Sequence, residues 1–447
     1  MWGTVLLAVY GAALIAIAFA SLKYADTMEN FLVAGRKQKR LLVTASMLAS
    51  TIGGGITIGT VTRAFSLGFP AFWFVAAGGI AHFAQGALLS RKVRETEALT
   101  LPDLADKLVG PSVRTLSSVI IMITWTGIAT AQFVAAAKIV NAITGVGLQP
   151  AVLVAAAFLI AYTLIGGQKS VLRTDLFQFG FLALGLVATV AYLYIAKAPA
   201  PGALVVEIFN ERFDALDLAY YVIVLGGSYF ICPMMFNRIL SADSAANARK
   251  SSFTSGFGML AFALGITFVG LWARASIAPG ALGGLDPLNY LARNSVPPFL
   301  GSVLIFGLLA AILSTGDTVL LTAAGIMEND LIKRKSVAGV RLWTVVIGVV
   351  AGGIALFYTD IIGILIKTYN GYTAGIVPAL FVAIMYKDTR KLDERLAFIA
   401  VVGGYALGLA GSFAPEGQAL AKLLPMAGLA FSGLVALAAA RKPSAQR

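Results

Sequence analysis

Thr51-Ile52-Gly53-Gly54-Gly55-Ile56-Thr57 sets three consecutive glycines inside an apolar stretch, residues 41–67, that is long enough to cross a bilayer. Glycine is a poor helix former, so a helix through this stretch breaks and releases backbone groups for other bonds. A second apolar stretch, 216–240, is interrupted by Gly226-Gly227-Ser228-Tyr229-Phe230-Ile231-Cys232-Pro233. There proline removes a backbone donor and kinks the chain. Counting five spans from each break makes the two breaks the opening helices of two five-helix halves. Interrupted helices in matching positions point to a binding site near the bilayer midplane. Glycine-mediated helix packing is the plainer alternative.

The composition around these breaks is that of a membrane protein. Hydrophobic residues make up 59%, charged residues 12%, and the mean hydropathy is +0.86. Soluble domains carry about a quarter charged residues. On the scale of about 20 apolar residues per crossing the chain divides into about thirteen spans. These are α1 (2–21), α2 (41–67), α3 (69–90), α4 (115–143), α5 (148–166), α6 (174–196), α7 (216–240), α8 (252–276), α9 (299–332), α10 (338–358), α11 (361–386), α12 (395–413) and α13 (420–440). The expected fold is all-α and integral to the membrane, with one transmembrane domain. Residues 1–40 form an extra N-terminal helix and loop, 41–196 a first repeat, 216–386 a second, and 395–440 two C-terminal helices.

Charge placement sets the orientation. With the N-terminus outside, inward-facing segments collect most of the 34 Lys and Arg residues, with clusters at 36–40, 91–94, 333–335 and 387–395. Lys23, Lys169, Arg173, Arg238, Lys442 and Arg447 fall on the same side. Arg63, Lys197, Arg212, Arg274, Arg293 and Lys422 fall outside, and Lys138 and Lys367 lie within spans. This alternation fits an odd number of spans and a cytoplasmic C-terminus. No basic residue precedes α1 and several follow it, so α1 reads as an uncleaved helix. The net charge of +13 is then topological bias, not a nucleic-acid footprint. Short loops and the lack of a targeting peptide suit a bacterial plasma (inner) membrane, with lipid as the surroundings. Nothing in the sequence speaks to oligomeric state.

Within α9, Ala310-Ala311-Ile312-Leu313-Ser314-Thr315-Gly316-Asp317-Thr318 buries hydroxyls and a carboxylate in an apolar helix. Polar groups at that depth need compensation, and a bound cation supplies it. Serine and threonine bonding back to helix carbonyls are the structural alternative. His82 and Cys232 are the sole residues of their types, so neither a His-rich metal site nor an internal disulfide is available, and His82 reads as a packed histidine. No G-x-x-x-x-G-K-[ST] phosphate loop is present, which argues against ATP-driven chemistry. No convergent His, Cys or carboxylate set suggests an enzyme.

Four segments resemble the sodium:solute symporter family. They are Asp26-Thr27-Met28-Glu29-Asn30-Phe31-Leu32-Val33-Ala34-Gly35-Arg36; Thr100-Leu101-Pro102-Asp103-Leu104; Gly166-Gly167 followed by Arg173-Thr174-Asp175-Leu176-Phe177-Gln178; and Ser314-Thr315 followed by Glu328-Asn329-Asp330-Leu331-Ile332-Lys333. The resemblance implies a LeuT-like five-plus-five inverted repeat whose discontinuous helices 1 and 6 are α2 and α7 here. It also implies sodium (Na+) between α2 and α9, with carbonyl ligands Ala49, Ile52 and Ala311 and hydroxyl ligands Ser314 and Thr315. Some members bind a second sodium nearby, at positions held here by Asp175, Asp317 and Thr318. This pair of carboxylates admits three readings: a second cation, a shared proton, or an ion pair with Arg173 or Lys169.

By the same resemblance a solute lies between the broken helices, and Thr51, Gly54, Gln132, Tyr229, Cys232, Lys367 and Asn370 are its candidate contacts. Trp73, Phe74 and Tyr369 are candidate outer gates and Met234 an inner one. Lys367 stands where sugar-carrying members have a neutral amide. It suits a carboxylate-bearing solute, or else reaches outward to the interface or to Asp360. Choline-carrying members have tryptophan where Thr51 stands, which argues against a quaternary amine. The expected function is sodium-coupled symport of a small organic solute. Proton coupling through Asp317 or Asp175 is the alternative, and a non-transporting sensor of the same fold is the reading from another class. A sensor is expected to carry an appended signalling domain, and none is expected after α13.

Overall fold

The computed structural model describes residues 2–21, 27–199, 202–415 and 418–441. Asp26 and three of the basic residues counted above, Lys23, Lys442 and Arg447, lie outside them. Among the described residues nine helices are long and apolar enough to cross a membrane, and eleven spans result when each of two bent pairs is one crossing. Both bends fall at the expected breaks. In α2, Arg40–Thr51 (α2a) meets Gly55–Leu67 (α2b) at 60°. In α7, Ala215–Phe230 (α7a) meets Pro233–Ser241 (α7b) at 44°. The nine unbent spans are α3 Phe69–Arg94, α4 Pro111–Thr144, α5 Leu148–Ile165, α6 Gly167–Ala196, α8 Ala245–Ser276, α9 Pro298–Ile332, α10 Val337–Ala355, α12 Glu394–Phe413 and α13 Leu420–Ala439. Helix α1, Trp2–Ser21, has 20 residues. Helix α11, Ile361–Met385, has 25, and Lys367, Asn370 and Pro378 dilute its apolar character. Among the described residues, length and apolar character thus support eleven of the thirteen expected spans.

The four quoted segments meet in pairs. Helix α5 turns into α6 at Gly167, whose φ of +61° is a left-handed conformation that suits glycine. A Cβ there would sit 2.8 Å from the Phe31 ring, so the segment ending in Ala34-Gly35-Arg36 packs onto this turn. On the same side Thr100 Oγ1 donates to Asp330 Oδ2 (2.7 Å) and Arg114 Nε donates to Asp330 Oδ1 (2.9 Å). The loop after α3 is thereby pinned to the end of α9, and the Asp330 carboxylate is compensated although it is buried.

The two C-terminal helices dock through bare backbone. A Cβ added at Gly404 or Gly408 on α12 would collide with the carbonyls of Ala374 and Asn370 on α11. Such close approach is how small residues join membrane helices. Strands β1 (Lys391–Leu392) and β2 (Ala440–Arg441) pair antiparallel and tie the start of α12 to the end of α13. The change Gly404→Ala is expected to destabilise the protein by about 1–3 kcal/mol, because backbone cannot swing aside. Gly353→Ala, which meets nothing within 4 Å, is the neutral comparison. Melting temperatures of the two purified variants test this.

Candidate ion and solute site

Each helix break leaves backbone groups without helical partners, and side chains from neighbouring helices take them up. At the α2 break, Gly54 N–H donates to Gln132 Oε1 of α4 (3.0 Å). Thr315 Oγ1 of α9 lies 3.2 Å from the Ser50 carbonyl and 3.1 Å from the Ala311 carbonyl. At the α7 break, Tyr372 OH donates to the Ile231 carbonyl (2.5 Å) and Gln85 Nε2 to the Phe230 carbonyl (3.1 Å). Gly53 explains why glycine is needed. A Cβ there would lie 2.8 Å from both Gln132 Oε1 and Thr315 Oγ1, so any larger residue would push α9 from the break.

Of the expected sodium set, Thr315 and Ala311 meet at the α2 break, through the Ser50 carbonyl. Ala49, Ile52, Ala311, Ser314 and Thr315 are all buried where α2a ends against α9. Thr315 faces the break directly. Ser314 turns its hydroxyl to Asp175 Oδ1 of α6 (2.5 Å). Carbonyls freed at an unwound helix, together with these hydroxyls, are the donor chemistry that suits a weakly charged hard cation.

Beside this set lies a buried ionic network. Arg238 is completely buried on α7b, not exposed at the cytoplasmic side as the charge pattern suggested. Its Nη2 lies 3.2 Å from Asp175 Oδ2. The same nitrogen donates to Ser50 Oγ (2.6 Å) and Thr318 Oγ1 (2.6 Å), while Nε donates to Ser46 Oγ (3.0 Å). Asp175 Oδ2 also accepts from Ser46 and from Ser50 (3.2 Å). Asp317 is buried next to this network. It accepts from Thr318 (3.3 Å), and its Oδ2 has no hydrogen-bond partner among the described residues. Asp175 is ion-paired with Arg238, a partner that the sequence reading did not name. Ser46, Ser50 and Arg238 escaped the sequence reading. The four-residue spacing of Ser46 and Ser50, which puts both on one face of α2a, was the available signal.

The candidate solute contacts separate into groups. Gly54 and Gln132 are bonded to each other. Tyr229 and Tyr369 pack ring to ring at 6.1 Å, with Cys232 buried nearby on the α7 break. Thr51 turns its hydroxyl back to the Met47 carbonyl (2.6 Å). Lys367 and Asn370 instead line a cavity of about 570 Å³ together with Arg63, Tyr220, Tyr221 and Lys422. Lys367 is exposed and donates to Tyr358 OH (3.1 Å). Lys422 pairs with Asp217 at 2.7 Å. Asp214 begins α7a with a reciprocal capping box, and the Asp217 N–H holds its carboxyl below the usual carboxylate range. Beneath the cavity Tyr220 OH donates to Asn370 Oδ1 (2.5 Å), and Arg63 contacts Tyr221 OH and lies 5.4 Å from the Phe74 ring. Of the candidate gates, Phe74 belongs to this floor and Tyr369 packs on Tyr229. Trp73 packs edge-on against Phe72, and the Met234 carbonyl accepts from Arg238 (3.2 Å).

Comparison with known proteins matches this architecture. The sodium:solute symporter family profile covers residues 31–404. The sodium/proline symporter of Escherichia coli is 24% identical over 413 residues, spanning 85% of this chain and 82% of the relative. The high affinity choline transporter 1 of Homo sapiens is 25% identical over 418 residues, spanning 86% and 70%. Among solved structures, a Na+-coupled sialic acid symporter in a substrate-bound outward-open state superposes with a TM-score of 0.78 at 14% identity, covering 99% of both chains. MhsT in complex with L-phenylalanine gives 0.60 at 16%, covering 90% of this chain and 98% of that one. The chain is a multi-pass membrane transporter with the LeuT-like fold, not an enzyme, and it belongs to the sodium:solute symporter family.

Proposed function

We propose that the protein imports a small, carboxylate-bearing organic solute together with sodium by alternating access. The observation that carries the sodium part is Thr315, whose hydroxyl joins α9 to a carbonyl at the α2 break, with Ser314 alongside. The family and the sodium/proline relatives support the coupling. Sodium at this point favours the arrangement in which α2 and α9 stay together, and the solute then enters from the outer cavity beside the α2 and α7 breaks. The N-terminus lies outside and the C-terminus in the cytoplasm of a bacterial plasma membrane, as the basic clusters favour. The membrane potential alone supplies about 2.3 kcal/mol per charge per 100 mV.

The cavity chemistry supports an anionic group on the solute: Arg63, Lys367 and Lys422 line it against Asp217 and Asp360. Proline, the solute of several relatives by name, also bears a carboxylate. Melting of the purified protein against sodium, with potassium and choline chloride at matched ionic strength, tests the coupling. Carboxylates are then screened for further stabilisation in sodium. For the carboxylate that stabilises most, Lys367→Met is expected to raise the half-saturating concentration roughly tenfold, the equivalent of ~1.4 kcal/mol. Unchanged affinity would remove Lys367 from the recognition path. No sodium effect, with a steep pH effect that Asp317→Asn abolishes, would replace sodium by protons.

A further inference from the structure

Arg238 donates from three guanidinium nitrogens to four helices or their termini. Its partners are Ser46 and Ser50 on α2a, Asp175 on α6, Thr318 on α9 and the Met234 carbonyl on its own α7b. Asp175 in turn accepts from Ser46, Ser50 and Arg238 at Oδ2 and from Ser314 at Oδ1. A carboxylate oxygen has about two lone-pair directions, and here three donors crowd Oδ2 while Ser314 takes Oδ1. The hydroxyl oxygens of Ser50 and Thr318 each accept a short bond from the guanidinium. Two of the three residues expected at a second cation site, Asp175 and Thr318, are thus already bonded to a positive charge that belongs to the protein.

We infer that Arg238 is a tethered cation that occupies the second cation position, so that this protein takes one mobile sodium per transport cycle. Arg238 and Asp175 form one ion pair, so the Asp175 charge is already neutralised before any second mobile cation arrives. A second would have to displace guanidinium N–H groups from the oxygens it needs. The tether also connects the two halves of the site, because Ser50 offers its hydroxyl to Arg238 and its carbonyl to Thr315.

The inference rests on the sodium reading above, and counting ions separates the two. Equilibrium binding of 22Na+ to the purified full-length protein is the direct measurement, with the Hill coefficient of sodium-dependent thermal stabilisation beside it. One ion per chain and a Hill coefficient of about 1 are expected for the wild type. Arg238→Ser, which replaces the guanidinium by a small oxygen donor, is expected to bind two ions with a Hill coefficient approaching about 2. Arg238→Lys keeps the charge and is expected to stay at one. Two saturable ions on the wild type, or a folded Arg238→Ser variant that still binds one, would overturn the tethered-cation assignment and leave sodium coupling intact. No saturable sodium on the wild type would overturn both. Should Arg238→Ser fail to fold, the wild-type count decides alone.

Discussion

With Ser314 changed to alanine, the sodium concentration that half-saturates the thermal shift is expected to rise about 10- to 100-fold. Ser314 stands between the two polar systems of the membrane core. Its hydroxyl reaches Asp175, while its neighbour Thr315 reaches the carbonyls of Ser50 and Ala311. Losing an oxygen that faces a charged group costs about 1.5–3 kcal/mol, and each 1.4 kcal/mol is about a factor of ten in affinity. Potassium and choline controls are expected to behave alike in wild type and variant. Thr315→Val, which keeps the shape and removes the oxygen, is expected to act in the same direction. The measurement is a melting curve series at constant ionic strength. Sodium dependence that survives both substitutions would move the ion elsewhere.

Asp175→Asn is expected to be among the most destabilising substitutions in the chain. Breaking a buried ion pair from one side strands the other charge, at a cost of about 3–5 kcal/mol. Here the stranded group is a guanidinium with zero exposure, held inside four helices. Removing both charges in Asp175→Asn with Arg238→Gln is expected to recover most of the loss, since a buried pair contributes less than either partner costs to remove. The thermal melts of both single variants and the double variant test this. Additive losses across the cycle would mean that Arg238 draws its stability from the serines and Thr318 instead.

Span positions were legible because apolar length is a local property. The reading 2–21 for α1 and 420–440 for α13 differs from the observed Trp2–Ser21 and Leu420–Ala439 by at most one residue. The breaks in α2 and α7 were legible because Gly53 to Gly55 and Pro233 act on their own backbone. Partnership was not legible. A count of basic residues by side assigns Arg238 to the cytoplasm, since it cannot see Asp175, 63 positions earlier in the chain. Lys367 shows the same limit in reverse. Its place within α11 suggested a charge near the membrane midplane, but its long stem carries the ammonium to Tyr358 at the outer cavity. Gln132 was noticed as a polar residue facing the pocket, yet its partner is a backbone N–H that exists only because α2 breaks.

The clip between β1 and β2 bears on how the chain is made. Lys391 pairs with Arg441, and Asp393 N–H donates to the Ala439 carbonyl (2.9 Å), so the closing strand leaves the ribosome only after both helices that it ties together. Helix α11 emerges earlier with Ala374 and Asn370 still lacking the glycine face of α12. Insertion can proceed helix by helix, but final docking of the α12–α13 pair waits for the synthesis of β2. A stalled or prematurely ended chain would present that uncovered face to lipid and to the membrane's quality-control proteases.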